Sequence, residues 1–172
     1  MDASNENDVR SEVTATSGIT AHTPASDSSD SESCFRYRPL SHGHKFLIRE
    51  RLSGKVIAYM SDDGLGLQDM LKAKRADIEW LCIERNGYFG LLNPKSGRYI
   101  GHNGNQVMRA SATVLNGWEC ITTRDQLVGG HKLLVPHWFT TLRTVVIAED
   151  GNKLVTREHG DTSWDFITIL EA

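Results

Sequence analysis

Apolar residues in this chain fall into short β-rich runs that recur in the same order. Gly54-Lys55-Val56-Ile57-Ala58, Gly97-Arg98-Tyr99-Ile100-Gly101 and Thr144-Val145-Val146-Ile147-Ala148 each precede a glycine turn: Asp62-Asp63-Gly64, His102-Asn103-Gly104 and Glu149-Asp150-Gly151. Glycine there can supply the positive φ of a tight hairpin. Ahead of each run lies another apolar stretch: Phe46-Leu47-Ile48, Phe89-Gly90-Leu91-Leu92 and Leu133-Leu134-Val135. Behind each comes a tryptophan phrase, Trp80-Leu81-Cys82-Ile83, Trp118-Glu119-Cys120-Ile121 or Trp164-Asp165-Phe166-Ile167, with the tryptophans 38 and then 46 residues apart. A period near forty residues means one supersecondary unit copied along the chain.

Each copy reads as four strands, so three copies give twelve within roughly 138 residues. A propeller needs about four to eight blades. Three four-stranded units closing into a six-stranded barrel capped by three hairpins, the β-trefoil, match the count and the symmetry. The expected domain is residues 35–172, with copies at about 35–85, 86–124 and 125–172. Trp80, Trp118 and Trp164 are expected in a shared core, with Cys82, Cys120 and Phe166 two residues on and on the same face. The first copy is longer: 23 residues separate Ile57 from Trp80, against 18 and 17 at the corresponding places. The extra stretch, 67–78, reads as an exposed basic loop because Lys74 interrupts its apolar face.

The run Gly87-Tyr88-Phe89-Gly90-Leu91-Leu92, followed by Ser96-Gly97-Arg98-Tyr99-Ile100-Gly101, resembles the repeat of fascin-like β-trefoils, the actin-crosslinking superfamily. The resemblance extends over about residues 44–170 and is close only in the second copy, since Val56 and Val146 replace its tyrosine in the others. It implies a protein-interaction module with actin as the partner. A single trefoil has too few surfaces to bundle filaments as a monomer.

Composition separates a tail from the body. Residues 1–34 hold hardly any large apolar residues and end in Ser26-Asp27-Ser28-Ser29-Asp30-Ser31-Glu32-Ser33, so they are expected to be a disordered acidic arm. Seven acidic residues and Arg10 give this arm −6 and leave +3 on the rest, within the overall −3. That excess is too small to imply nucleic acid. The first thirty residues lack the apolar run of a secretory signal, and no stretch of eighteen apolar residues could span a membrane, so a cytoplasmic location is expected. Three cysteines form no disulfide framework.

Candidate chemistry is sparse. Arg36, Arg38, Arg49, Arg51 and Lys55 cluster where the domain begins, and Lys72, Lys74 and Arg75 in the extra stretch. If they share a face, it would suit an acidic protein surface such as an actin filament. The alternative partner is a glycan. Trp138 stands outside the repeated phrase and could offer an aromatic plane beside Asp150 and Asn152, or beside Asn103 and Asn105. The ricin-type lectin pattern would place glutamine two residues before each repeated tryptophan, where Ile78, Asn116 and Thr162 stand. His42 and His44, with His131 and His137, lack a well-spaced third ligand for a metal. Gly64-Leu65-Gly66 is only a fragment of a dinucleotide fingerprint. No nucleophile or paired carboxylates can be assigned, so a non-enzymatic module without a cofactor is expected.

Overall fold

Alternation sets the first barrel strand. In β2 (Lys45–Glu50), Phe46 and Ile48 are wholly buried on one face and Leu47 is buried on the other, while Lys45 and Arg49 stay part-exposed. The computed structural model describes residues 36–62 and 64–170. These form, besides β2, the strands β1 (Arg36–Tyr37), β3 (Val56–Tyr59), β4 (Leu65–Gln68), β5 (Trp80–Arg85), β6 (Tyr88–Asn93), β7 (Arg98–Gly101), β8 (Arg109–Ala112), β9 (Thr122–Asp125), β10 (His131–His137), β11 (Thr141–Ile147), β12 (Leu154–Arg157) and β13 (Trp164–Thr168). The two-residue β1, which pairs with the end of β13, is the addition to the twelve expected. A four-residue helix α1 (Arg75–Ile78) and two 3₁₀ turns, Gly117–Glu119 and Trp138–Thr140, complete the elements. The tail expectation for 1–34 lies outside the described residues.

All pairings are antiparallel, and their registers reveal the threefold symmetry. The hairpin partners Arg49↔Val56, Leu92↔Tyr99 and Leu134↔Thr144 are equivalent. It follows that Ile57, Ile100 and Val145 occupy one position, and the third-copy residue is Val145, not the expected Ile147. A second set of pairs closes the barrel: Phe46↔Trp80, Phe89↔Ile121 and His131↔Trp164. Phe89 and Ile121 exchange both backbone hydrogen bonds, at 2.8 and 2.7 Å.

The second tryptophan is therefore not what the repeated phrase suggested. Trp80 and Trp164 are 0% exposed, and their Nε1 groups donate to the Ile57 and Val145 carbonyls at 3.0 and 3.3 Å, an equivalent pair of bonds. Trp118 is 48% exposed on a 3₁₀ turn, and Ile121, 1% exposed, fills the core position three residues later. The Cys120 expectation fails with it. Cys120 is only part-buried, with Sγ donating to the Asn116 carbonyl at 3.3 Å, and Thr123 holds the place matching Cys82 and Phe166. Cys82 is wholly enclosed, and burial, aided by Glu84, pushes its thiol up to about 12.

Side chains from all three copies meet on the barrel axis. Ile57, Ile100 and Val145, with Leu65, Met108 and Leu154, surround a void of about 10 Å³. This apolar space is too small to be a ligand chamber, so any binding surface lies outside the barrel. A second apolar cluster, Leu47, Val56, Ala58, Ile78 and Ile167, packs against Met70 and Ala73. The extra stretch of the first copy is therefore no free loop. Leu67 belongs to β4, and Met70, Ala73 and Ile78 fasten the segment to the barrel wall, leaving Lys72, Lys74 and Arg75 in solvent.

Candidate functional site

Two of the candidate surfaces come from the sequence motifs rearranged by the fold. The first begins at the end of β7, where Gly101 has no room for a Cβ: one would lie 2.9 Å from both the Trp118 carbonyl oxygen and Glu119 Oε1. The 3₁₀ turn can therefore sit directly on the strand end, with Asn116 N–H donating to Glu119 Oε2 at 3.0 Å and His102 N–H donating to the Trp118 carbonyl at 3.3 Å. His102 follows and is 1% exposed. Its Nε2 lies 2.8 Å from the Pro136 carbonyl and its Nδ1 accepts the Gly104 N–H at 3.1 Å, which together define the neutral Nε2–H form. Burial holds its pKa below the ordinary value, against the Pro136 bond and with help from His137 and Arg143. Glu119 is 3% exposed, and burial raises its pKa, opposed by backbone hydrogen bonds from Asn116 and its own amide.

From His102 the rings continue to the neighbouring hairpin. Trp118, His102, His137 and Trp138 form one row, with successive centroids 6.1, 5.7 and 6.0 Å apart, the last contact edge-on at 85°. Both ends are open, Trp138 at 71% and Trp118 at 48% exposed. Trp138 has φ 50, a left-handed conformation that is an outlier for a bulky residue. His137 Nδ1, enclosed within the row, has no hydrogen-bond partner among the described residues. The loop after His102 lies against the row: a Cβ on Gly104 would meet the Trp118 ring at 3.2 Å, and Asn103 donates through Nδ2 to Ser111 Oγ at 2.8 Å. Asn105 is exposed beside it.

Of the two polar sets weighed for Trp138, Asn103 and Asn105 lie at the Trp118 end of the row, in the loop that follows His102. Asp150 and Asn152 are at the far end of β11, seven residues and so roughly 20 Å of strand from the Trp138 turn. There Asp150 Oδ1 accepts the Asn152 and Lys153 amides at 2.9 and 3.1 Å, and these bonds hold its pKa below the usual carboxylate value. They close a turn. Trp118 and the two histidines were missed because the repeated phrase assigned Trp118 to the core. The Asn116-Gly117 dipeptide just before it was the available signal of a turn.

The eight basic residues are spread along a series of adjoining hollows that share lining residues. Arg38, Arg49 and Arg51 line a cavity of about 350 Å³ beside Tyr37, His131 and Asp165. Asp165 accepts from Arg49 Nη2 at 2.9 Å and Arg51 Nη1 at 3.3 Å, and the Arg49 guanidinium carbon lies 5.3 Å from the Tyr37 ring centroid. Arg36 faces an adjoining hollow with Arg38 and Lys45. Lys55 lines a cleft with Arg51, Glu50 and Asp161 that adjoins the Asp165 cavity, and Arg75 pairs with Glu79 along an apolar groove near Lys72 and Lys74. The four histidines weighed as metal ligands have separate tasks. His42 Nδ1 accepts the Glu84 amide, His44 meets Ser41, His131 Nδ1 is 2.8 Å from Asp125 Oδ1, and His137 joins the row.

No protein-family model matches the sequence, and no curated protein is significantly similar to it. Solved structures do match. A GlcNAcα1-4Gal-releasing endo-β-galactosidase from Clostridium perfringens aligns with TM-score 0.64 and 16% identity, over 74% of this chain and 33% of that one. The present chain thus spans about a third of that enzyme. The β-trefoil named BEL aligns with TM-score 0.61 and 12% identity, over 77% and 97%. A ricin B-like lectin from Macrolepiota procera, in complex with lactose, aligns with TM-score 0.58 and 12% identity, over 75% and 98%. The fold is a β-trefoil. The comparisons lend the actin-crosslinking resemblance no support beyond the fold.

Proposed function

We propose that this chain is a carbohydrate-binding, lectin-like module whose platform is the row Trp118, His102, His137 and Trp138. The observation that carries the reading is Trp138 itself, an indole 71% exposed on a left-handed backbone at φ 50. Holding a bulky residue there costs on the order of 1–3 kcal/mol, and such strain concentrates at functional sites. Exposing the indole gains no burial in return, so the conformation makes sense as a surface prepared for a ligand. Sugar rings present apolar C–H faces that stack on indoles and hydroxyls that seek amide partners. The exposed indoles at the row's two ends provide the first, and Asn103 and Asn105, at the Trp118 end, provide the second.

Binding without turnover suits the site. Glycoside hydrolysis uses two carboxyl groups about 5–10 Å apart across an open cleft. Glu119, the carboxyl beside the row, is enclosed and occupied by the Asn116 amide. The lactose complex of the Macrolepiota procera lectin adds support of the fold-level kind. Filament binding is less well supported, because several of the basic residues it would use are already paired with carboxylates, Arg49 and Arg51 with Asp165 and Arg75 with Glu79.

A glycan array probed with the full chain is the test, followed by titration of the best binder into Trp118→Ala and Trp138→Ala. Binding weakened tenfold or more in both variants, at preserved folding, is the expected result. An array without signal, or one unchanged by both substitutions, would reject the reading.

A further inference from the structure

The cavity lined by Arg38, Arg49 and Arg51 is separate from the aromatic row and holds more positive charge than its surroundings neutralise. A lone carboxylate, Asp165, accepts hydrogen bonds from both Arg49 and Arg51, at 2.9 and 3.3 Å. Arg38 lies exposed on the rim, its backbone N–H held by the Phe166 carbonyl at 3.2 Å, and its guanidinium has no ion-pair partner among the described residues. Arg49 Nε is enclosed and has no hydrogen-bond partner among the described residues. The nearby His131 is engaged by Asp125, outside the cavity lining. Within the cavity lining three guanidinium groups thus meet one carboxylate, while Arg51 also borders the adjoining cleft with Glu50 and Asp161.

The backbone is shaped to keep this arrangement. Gly129 and Gly130 have φ +90 and +74, and a Cβ on either would strike Arg51: 2.8 Å from Nη1 at Gly129 and 2.6 Å from Cδ at Gly130. A bare turn lets Arg51 lie across it toward Asp165. On the other wall Tyr37, 55% exposed, presents a ring against which Arg49 is placed at 5.3 Å. A planar fork of N–H donors matches a carboxylate or sulfate with paired hydrogen bonds, and a ring beside it suits the C–H face of a sugar. At about 350 Å³ the cavity is at the small end of ligand pockets and has room for one ring.

We infer that this cavity binds a single acidic sugar residue, a pyranose bearing a carboxylate or sulfate, with Arg38 and Arg51 meeting the anion and Tyr37 the ring. The saccharide half rests on the carbohydrate-binding reading above, and the anion half on the arginines alone.

Isothermal titration of the full chain at low ionic strength with methyl β-D-glucuronide, methyl β-D-glucoside and sodium sulfate tests it. The glucuronide should bind at least tenfold more tightly than the glucoside or sulfate. Arg38→Gln and Arg51→Gln should each weaken it about tenfold or more, the loss typical of a charged hydrogen-bonding group. Trp138→Ala should leave it unchanged. Because Arg49 also steadies Asp165 in the strand pair, it is left intact, and melting curves check that the two glutamine variants fold. Equal affinity for glucuronide and glucoside overturns the inference, as does sulfate binding as tightly as the glucuronide. Glucuronide binding insensitive to both glutamine variants also overturns it. Array binding that depends on Trp138 while the glucuronide fails here would reject this cavity and leave the aromatic row standing. Glucuronide binding that depends on Arg38 and Arg51, with an array insensitive to the tryptophans, would do the reverse.

Discussion

Replacing Ile121 with alanine should cost more stability than replacing Trp118, although tryptophan is much the larger residue. Ile121 is 1% exposed and adjoins the axial void, so truncation enlarges a cavity that solvent cannot fill. Buried isoleucine-to-alanine changes cost about 2–5 kcal/mol, and a site beside an existing gap in a three-way junction should fall near 3–4. Trp118 is 48% exposed. Its side chain carries roughly 200 Å², so about 100 Å² is withdrawn from water, worth at most about 2.5 kcal/mol at ~25 cal/mol per Å². Residual burial in the unfolded chain reduces this, and no enclosed cavity remains, which leaves about 1–2 kcal/mol. Urea denaturation followed by circular dichroism, with both variants at one pH, measures the order. Should Trp118→Ala cost 3 kcal/mol or more while Ile121→Ala costs under 1, the threefold equivalence of Trp80, Ile121 and Trp164 is wrong.

Four further outcomes are expected. His102 has a folded pKa below its ordinary 6.5, so its contribution is complete above that value and is lost as the unfolded chain takes up the proton on acidification. Thermal melts from pH 7 to 5 should show a loss that shrinks in His102→Gln, and equal losses would refute it. Glu119 runs the other way. With its folded pKa raised, its contribution is complete below about 4.5 and is lost as pH rises through the folded value, so Glu119→Gln should stabilise the neutral protein in a denaturant titration. Trp138→Gly relieves a left-handed backbone and should leave the melting temperature within a few degrees of the parent while removing saccharide binding. Gly130→Ala puts a Cβ 2.3 Å from Ser163 Oγ at φ +74 and should destabilise by at least about 1–3 kcal/mol in the same assay.

Much of the barrel was legible because its signals are local. Strand runs, Gly104 and Gly151 at φ +75 and +71, and a period near forty residues are each written within a few neighbouring positions. Where the first-copy turn differs, Asp62 takes the left-handed conformation at φ 65. Register is not local. Trp118-Glu119-Cys120-Ile121 copies the spelling of the other two phrases, yet cross-strand pairing with Phe89 selects Ile121 and shifts the copy by three residues. The same kind of slip moved the third-copy landmark from Val145 to Ile147.

The candidate site was less legible for the same reason. Trp138 was singled out because it lies outside the repeat, but the row it ends continues through His137 to His102, over thirty residues earlier in the chain. Asp150 and Asn152 are close in sequence and distant in space because a whole strand separates them. The arginines show the converse: Arg49 and Arg51 meet Asp165 across more than a hundred residues, through the β13–β2 register Asp165↔Arg49. Such a meeting has no trace in composition.

The proposed function has a direct spectroscopic test, since the chain holds four tryptophans and their indole N–H groups give resolvable signals. Titrating the strongest array binder into ¹⁵N-labelled protein should shift the Trp118 and Trp138 indole resonances and leave those of Trp80 and Trp164, bonded inside the barrel, in place. A ligand that saturates the protein without moving Trp118 or Trp138 would contradict the aromatic row as the binding surface.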